Sequence, residues 1–426
     1  MHSLHHLALA VLGSILLLTA GCHRRLGTEY RSNPSTLAIN IVGDGSVYPD
    51  AWIVVGNAAG NSISAVRRVT GEGLLDFGNL ADDLISVSVV YRGSIGDVHV
   101  DSYLNVTGGN WTWVRGPTET IGQARVTLHF PPGWYDAYSM AIPFVRRTEG
   151  RVIGDSTTQW TETFDVQQLE SGDRFSVYAA VWSWSGSVHR VGWLVDQPFE
   201  RGQVNSYDVN VEQLIPMSTI NSSRPVDHIW MNAYRSATCA EYSLTWPEGY
   251  NLPGWTAFDF PTPAFPAERL RMTIYGSEGN NGYHCEWSGP HVSTSPVVPT
   301  GITTADYDGA VPLINNIVAS GQADAVTATY MFNYVSYYSS SWIIHAPPGT
   351  RSIAMPTLPD SILTVVQFDN RSLWSVVCSS KEYDTINGYE GYINLICRSG
   401  TETSCRYDML YESRRLLQGS WEPPSR

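Results

Sequence analysis

LLDFGNLADDLISVSVVYRG, residues 74–93, passes from a Phe through a turn-rich stretch carrying Leu into a Val-rich alternating run that stops at Gly. FDVQQLESGDRFSVYAAVWSWSG at 164–186 has the same order. FDFPTPAFP at 258–266 and IAMPTLP at 353–359 stand at the matching place further on, each after a Pro-x-Gly. Beyond the first of these, Leu270, Met272 and Ile274 alternate with Arg271, Thr273 and Tyr275. That is the period-two pattern of a half-buried strand, and ILTVVQF at 362–368 is read as its counterpart. LHFPPG at 128–133, LTWPEG at 244–249 and IHAPPG at 344–349 add a strand end followed by Pro-x-Gly. Gly133, Gly249 and Gly349 lie roughly a hundred residues apart, a domain-sized period far longer than a solenoid repeat.

These anchors predict an all-β chain of tandem β-sandwich modules at 36–116, 122–215, 226–305 and 325–415. A chain of 426 residues exceeds what one hydrophobic core organises, and 37 Gly and 24 Pro supply turns between short strands. Between the third and fourth modules, 306–324 reads as a linker or short helix, because Val311, Leu313, Ile314 and Ile317 have near-helical spacing. The Phe, turn, Leu and Val-rich strand pattern resembles the transthyretin-like or carboxypeptidase-regulatory-like sandwiches of bacterial surface proteins. An immunoglobulin-like or fibronectin-like sandwich fits the same residues.

Upstream, LALAVLGSILLL at 7–18 is apolar, uncharged and too short to span a bilayer, as in a secretory signal. Leu18-Thr19-Ala20-Gly21-Cys22 then resembles the lipobox of bacterial lipoproteins. The resemblance implies removal of residues 1–21, lipid attachment at Cys22 and a tether over 22–35. Several acyl chains on one residue anchor a protein stably, as one does not. His23, where an Asp would favour inner-membrane retention, implies an exported protein held at the outer membrane, on either its periplasmic or its surface side.

Five further cysteines, Cys239, Cys285, Cys378, Cys397 and Cys405, would meet oxidising conditions after export. Cys239 with Cys285 and Cys397 with Cys405 is one pairing, leaving Cys378 as a thiol. Cys378 with Cys397 is the rival, and buried thiols are the third reading.

A formal net charge of −14 argues against nucleic acid or an anionic lipid surface as partner, since both need clustered Lys and Arg. Lys381 is the only lysine, which argues against imine chemistry. Gly154-Asp155-Ser156 resembles the first block of GDS-type serine hydrolases, but those also carry an Asp three residues before a His, and no histidine here has one. HExxH and paired CxxC are absent, so no metal site is expected at His284 and Cys285. Asp306, Asp308 and Gly309 have the flavour of a calcium loop without its twelfth-position Glu and read as a turn. GDGSV at 43–47 lacks the Lys and spacing of a phosphate cradle. No catalytic residue and no cofactor is therefore expected.

Aromatics are the surplus: 15 Trp and 23 Tyr. Trp111, Trp113, Trp134 and Trp255 lie at or near turns, where aromatic rings beside polar loops suit sugar faces or protein interfaces. The reading is a non-catalytic envelope lipoprotein acting as a modular binding or assembly component. The alternatives are a carbohydrate-binding surface lipoprotein and, third, a glycoside or ester hydrolase. Its partners would be the membrane, through the lipid, and an envelope protein or a glycan.

Overall fold

A computed structural model describes residues 36–42, 50–93, 97–114, 120–133, 137–141, 148–150, 158–166, 173–182, 189–214, 217–234, 243–245, 250–261, 266–291, 293–296, 304–309, 312–319, 322–333, 339–366, 372–398 and 409–419. The chain is all-β and sandwich-like.

The first segment holds β1 (Thr36–Val42), β2 (Asp50–Asn57), β3 (Ile63–Arg68), β4 (Gly73–Asn79), β5 (Ile85–Arg92), β6 (Val98–Val106) and β7 (Gly109–Val114). A small sheet has the order β4-β1-β7, and a larger one contains β3-β2-β5-β6. β1 is antiparallel to β4 and parallel to β7. Alternation in β1 turns Leu37, Ile39 and Ile41 inward, where they meet Ile53, Val55, Val87 and Val89 from the larger sheet.

The second segment repeats this plan with β8 (Gly122–His129), β9 (Ala137–Ala141), β10 (Thr148–Gly150), β11 (Gln159–Val166), β12 (Arg174–Trp182), β13 (His189–Pro198) and β14 (Val204–Asn210). Its sheets are β11-β8-β14 and β10-β9-β12-β13, the latter extended by β15 (Gln213–Leu214). β8 is again antiparallel to its fourth-strand neighbour and parallel to the seventh. Ala124, Val126 and Leu128 pack on Phe175, Val177, Ala179 and Val181.

In the third segment β16 (Met217–Tyr234) serves as first and second strand together. Its start pairs with the end of β18 (Tyr250–Pro261), and its end pairs with β17 (Ser243–Thr245) and β19 (Arg269–Glu278). β20 (Asn281–Gly289) follows. Asn221 N donates to Thr294 O at 2.9 Å and Ser223 N to Pro296 O at 3.4 Å, so backbone at 294–296 takes the seventh place.

The fourth contains β21 (Thr304–Asp308), β22 (Leu313–Val318), β23 (Ala325–Asn333), β24 (Ser339–Ala346), β25 (Ile353–Ala354), α1 (Asp360–Val366), β26 (Ser372–Tyr383), α2 (Gly388–Ile393) with a π-helical turn at Asn394–Arg398, and β27 (Met409–Gln418). Its sheets are β21-β22-β25 and β24-β23-β26-β27. Here β21 fills the seventh place, but from ahead of the first strand and antiparallel to it.

The repeat is therefore real at its downstream anchor. Phe77, Phe164, Phe258 and Ile353 all lie in the fourth strand of their segments. Pro-x-Gly is a looser marker: at 128–133 it follows a first strand, and at 244–249 and 344–349 a third.

Three expectations are corrected. Residues 306–324 form no helix among those described, since β21 and β22 are a hairpin. Ile314 and Ile317 are both buried at helix-like spacing because Asn316 between them adopts φ 54, a left-handed kink that restores the inward face one residue late. ILTVVQF is not the fifth strand either. Pro359 O accepts from Ile362 N at 2.9 Å and Leu363 N at 3.0 Å, which starts α1, and the strand is β26. On β19, Arg271 and Thr273 are buried along with Met272 and Ile274, so the face expected to be open is covered at its centre. There Arg271 Nη1 lies 3.7 Å from Glu286 Oε2.

The four segments fall into two compact units. One comprises 1–117, 277–284 and 299–426, the other 118–276 and 285–298. Within the first unit β6 pairs in parallel with β24, from His99↔Ser341 to Tyr103↔His345. The first and fourth segments thereby share one continuous sheet, β3-β2-β5-β6-β24-β23-β26-β27.

Candidate functional site

The seam between β6 and β24 gathers a set of ionisable and aromatic side chains in the first unit. One face of this sheet is apolar, with Val98, Val100, Val326, Ala328, Trp342 and Ile344 in a single core. The opposite face is mixed, because alternation brings His99, Asp101 and Tyr103 from β6 beside Ser341, Ile343 and His345 from β24. Further along the sheet the register sets Thr327 between His345 and Ser379, and Lys381 between Ala325 and Glu412.

α2 and its π-helical turn contribute to the core on this face. No side-chain hydrogen bond caps α2 at Asn387. Buried Asp324 supplies an anchor instead: its Oδ1 accepts from Gly388 N at 2.7 Å and its Oδ2 from Tyr383 N at 2.8 Å. Gly388 itself has φ 75, a conformation that favours glycine.

His345 is enclosed by aromatic rings. Tyr103 stacks on it with centroids 4.7 Å apart, Tyr392 Oη lies 2.7 Å from His345 Nδ1, and Tyr389 Oη donates to the His345 carbonyl at 2.9 Å. Burial, helped by the Lys381 charge, pushes the imidazole down to about 3. Burial also holds the hydroxyls of Tyr103, Tyr389 and Tyr392 well above the usual phenol range. Asp101 accepts from Tyr91 Oη at 3.3 Å, yet burial pushes its carboxyl up to about 6 against the pull of His99, Tyr91 and Lys381.

Glu412 shows the opposite balance. Burial alone would raise it, but Arg414 at 2.8 Å, the Lys381 charge and His284 at 3.2 Å hold it well below the usual carboxylate range. It is a buried carboxylate kept ionised by charge partners, while His345 is kept neutral.

The residues singled out by sequence are scattered. Trp111 is a core residue at 4% exposure with its ring edge-on to Tyr103 at 5.4 Å, so it offers no face to a ligand. Trp113 is partly buried against the same core, 5.7 Å from Tyr91. Trp255 is open, at 53% exposure. Trp134, Cys22 and Gly154-Asp155-Ser156 lie outside the described residues. Cys285, Cys378 and Cys397 are buried thiols, so Cys239–Cys285, Cys397–Cys405 and Cys378–Cys397 are not joined; Cys239 and Cys405 lie outside the described residues. Each of the three sits in a packed element, and burial pushes Cys378 up to about 12. His284 carries no metal cluster among the described residues and instead meets Glu412. Asp306 accepts from Asn316 Nδ2 at 2.8 Å within the β21–β22 hairpin.

Sequence reasoning missed His345, Tyr103, Asp101 and Glu412. Their only signal was a polar residue at every second place in otherwise apolar strands, which also describes a solvated face.

No family model matches the sequence, and no curated protein matches it. Among solved structures, the chain is similar to a product complex of the multi-modular glycogen-degrading pneumococcal virulence factor SpuA, at 9% identity and a TM-score of 0.13. That likeness covers 82% of this chain and 37% of the other. It is also similar to the Bacillus anthracis TIE protein, at 6% identity and a TM-score of 0.14, over 84% of this chain and 70% of the other. Likenesses this slight carry no argument about function.

Proposed function

We propose that the chain is an envelope lipoprotein, anchored through Cys22, whose sandwich segments act as a modular binding or assembly component. The observation that carries this reading is the fourfold strand plan. One strand plan recurs, the arrangement in which strand ends present contact residues on a common scaffold. Leu74, Leu214 and Trp255, each more than half exposed, are contact points of that kind. Among the described residues no helix is long and apolar enough to cross a membrane. The anchor rests on LLLTAGC at 16–22.

Two measurements test it. Intact mass of membrane-extracted protein should show cleavage before Cys22 plus acyl chains, both lost in Cys22→Ala. A photo-crosslinking residue at 74, 214 or 255 should trap a defined envelope protein, while one at buried position 37 should not. A soluble, unlipidated protein without site-dependent adducts would defeat the proposal.

A second reading, glycan binding, is favoured by Trp255 and Trp160, both open to solvent at 53% and 37%. It requires quenching of Trp fluorescence by wall or capsule polysaccharide that Trp255→Ala reduces. A flat titration would remove it.

A further inference from the structure

At the end of the seam where β6 begins, three side chains form a hydrogen-bonded line. Ser341 Oγ lies 2.9 Å from His99 Nδ1, and His99 Nε2 lies 2.8 Å from Asp97 Oδ2. A carboxylate can only accept, so Nε2 carries a proton; in the neutral imidazole Nδ1 is then the lone-pair nitrogen, and the Ser341 hydroxyl donates to it. That fixes a basic nitrogen on a serine oxygen, with a carboxylate orienting the base from behind.

The surroundings look built for this line. His99 is 7% and Asp97 15% exposed at the side chain. The Tyr91 ring stacks on His99 at 5.3 Å. Asp97 Oδ1 is buried and has no hydrogen-bond partner among the described residues, so the carboxylate is committed to His99. Gly93 makes room for it, since any Cβ there would collide with the Asp97 carboxyl group. The adjacent serines of β24 divide by face. Ser340 is fully buried and accepts from Val98 N at 2.9 Å, which fixes the strand, whereas Ser341 is partly exposed.

We propose that Ser341 is an activated nucleophile, with His99 as its general base and Asp97 as the orienting carboxylate, and that this line hydrolyses small carboxylic esters. Ser341 Oγ bonds to the acyl carbon as its proton passes to His99 Nδ1. The ester C–O bond then breaks, and the proton leaves with the alcohol. Water repeats the sequence on the acyl-serine, with His99 taking its proton, and releases the acid and the free hydroxyl. The roles of the two ring nitrogens are exchanged relative to the usual serine triad, but a base needs only a lone pair on the hydroxyl and a fixed proton on the far side. This activity goes beyond the binding role and stands or falls separately from it.

The test uses the full chain. A fluorophosphonate probe should attach to the Ser341 peptide, located by mass spectrometry, and p-nitrophenyl acetate should be hydrolysed at a rate that rises with pH through one ionisation. Ser341→Ala should abolish labelling and lower hydrolysis by about a hundredfold or more, with His99→Gln close behind. The urea midpoint of each variant checks that it folds. Labelling of the native chain needs no variant: a native, folded protein whose Ser341 stays unmodified overturns the proposal, as does hydrolysis that survives in folded Ser341→Ala.

Discussion

Tyr103 and His345 lie face to face, their ring planes 11° apart, although one belongs to the first segment of the chain and the other to the last. Burial among phenol groups, helped by the Lys381 charge, holds the imidazole neutral. Its folded value of about 3 lies below the roughly 6.5 of an unfolded histidine. The stability that depends on this neutrality is full above pH 6.5 and is lost as pH falls toward 3, by an amount on the order of 4 kcal/mol. Because Asp101 titrates with the opposite sign over the same range, the decline is read as a difference: the stability of the native chain relative to His345→Gln, from urea unfolding at pH 7, 5 and 4, should fall with pH.

Asp101 has the opposite sign. Its folded value of about 6 exceeds the ordinary carboxyl value, so its contribution is full below pH 4 and lost as pH rises through 6. Asp101→Asn should therefore stabilise the protein at pH 7.5 by about 1–3 kcal/mol and change little at pH 4. Equal effects at both pH values would show that packing, not charge, dominates there.

Glu412→Gln removes the carboxylate facing Arg414 and His284. Taking one partner from a buried pair leaves the other uncompensated, so a loss of about 3 kcal/mol is expected at neutral pH. Because the carboxylate is held ionised, that loss should shrink as the pH drops below 4.5. A double variant with Arg414→Met should recover part of it.

Removal of residues 325–426 should unfold the first segment as well. Its core includes Tyr383, Tyr392, Ile393 and Leu410 alongside Leu37, Ile39 and Val87. Limited proteolysis of the truncated chain should find 36–114 cleaved. If the segment stays resistant with a native-like melting transition, the shared sheet is not essential to it.

The sandwich class was legible because strand alternation and turn chemistry are local. Phe77, Phe164 and Phe258 marked the fourth strand three times for this reason. What could not be read was any pairing across long separation. His99 touching Ser341, or Tyr103 stacking on His345, depends on β6 meeting β24, and nothing local in either strand encodes its partner. Trp111 misled for a related reason: beside a turn in sequence, its ring nevertheless belongs to the core between sheets. Asn316 explains the false helical spacing at 313–317, since a left-handed kink and a helical turn leave the same apolar positions in a sequence.

The parallel union of β6 with β24 also sets an order of events. A chain threaded across a membrane from its N-terminus, as the proposed leader requires, delivers β6 well before β24, which follows more than two hundred residues later. Throughout that interval the nascent first segment carries an unzipped strand with Val98, Val100 and Leu104 waiting for a mate that has not been made. Newborn chains are then most open to pairing with one another, and a helper that shields that strand would do more for yield than any gain in final stability.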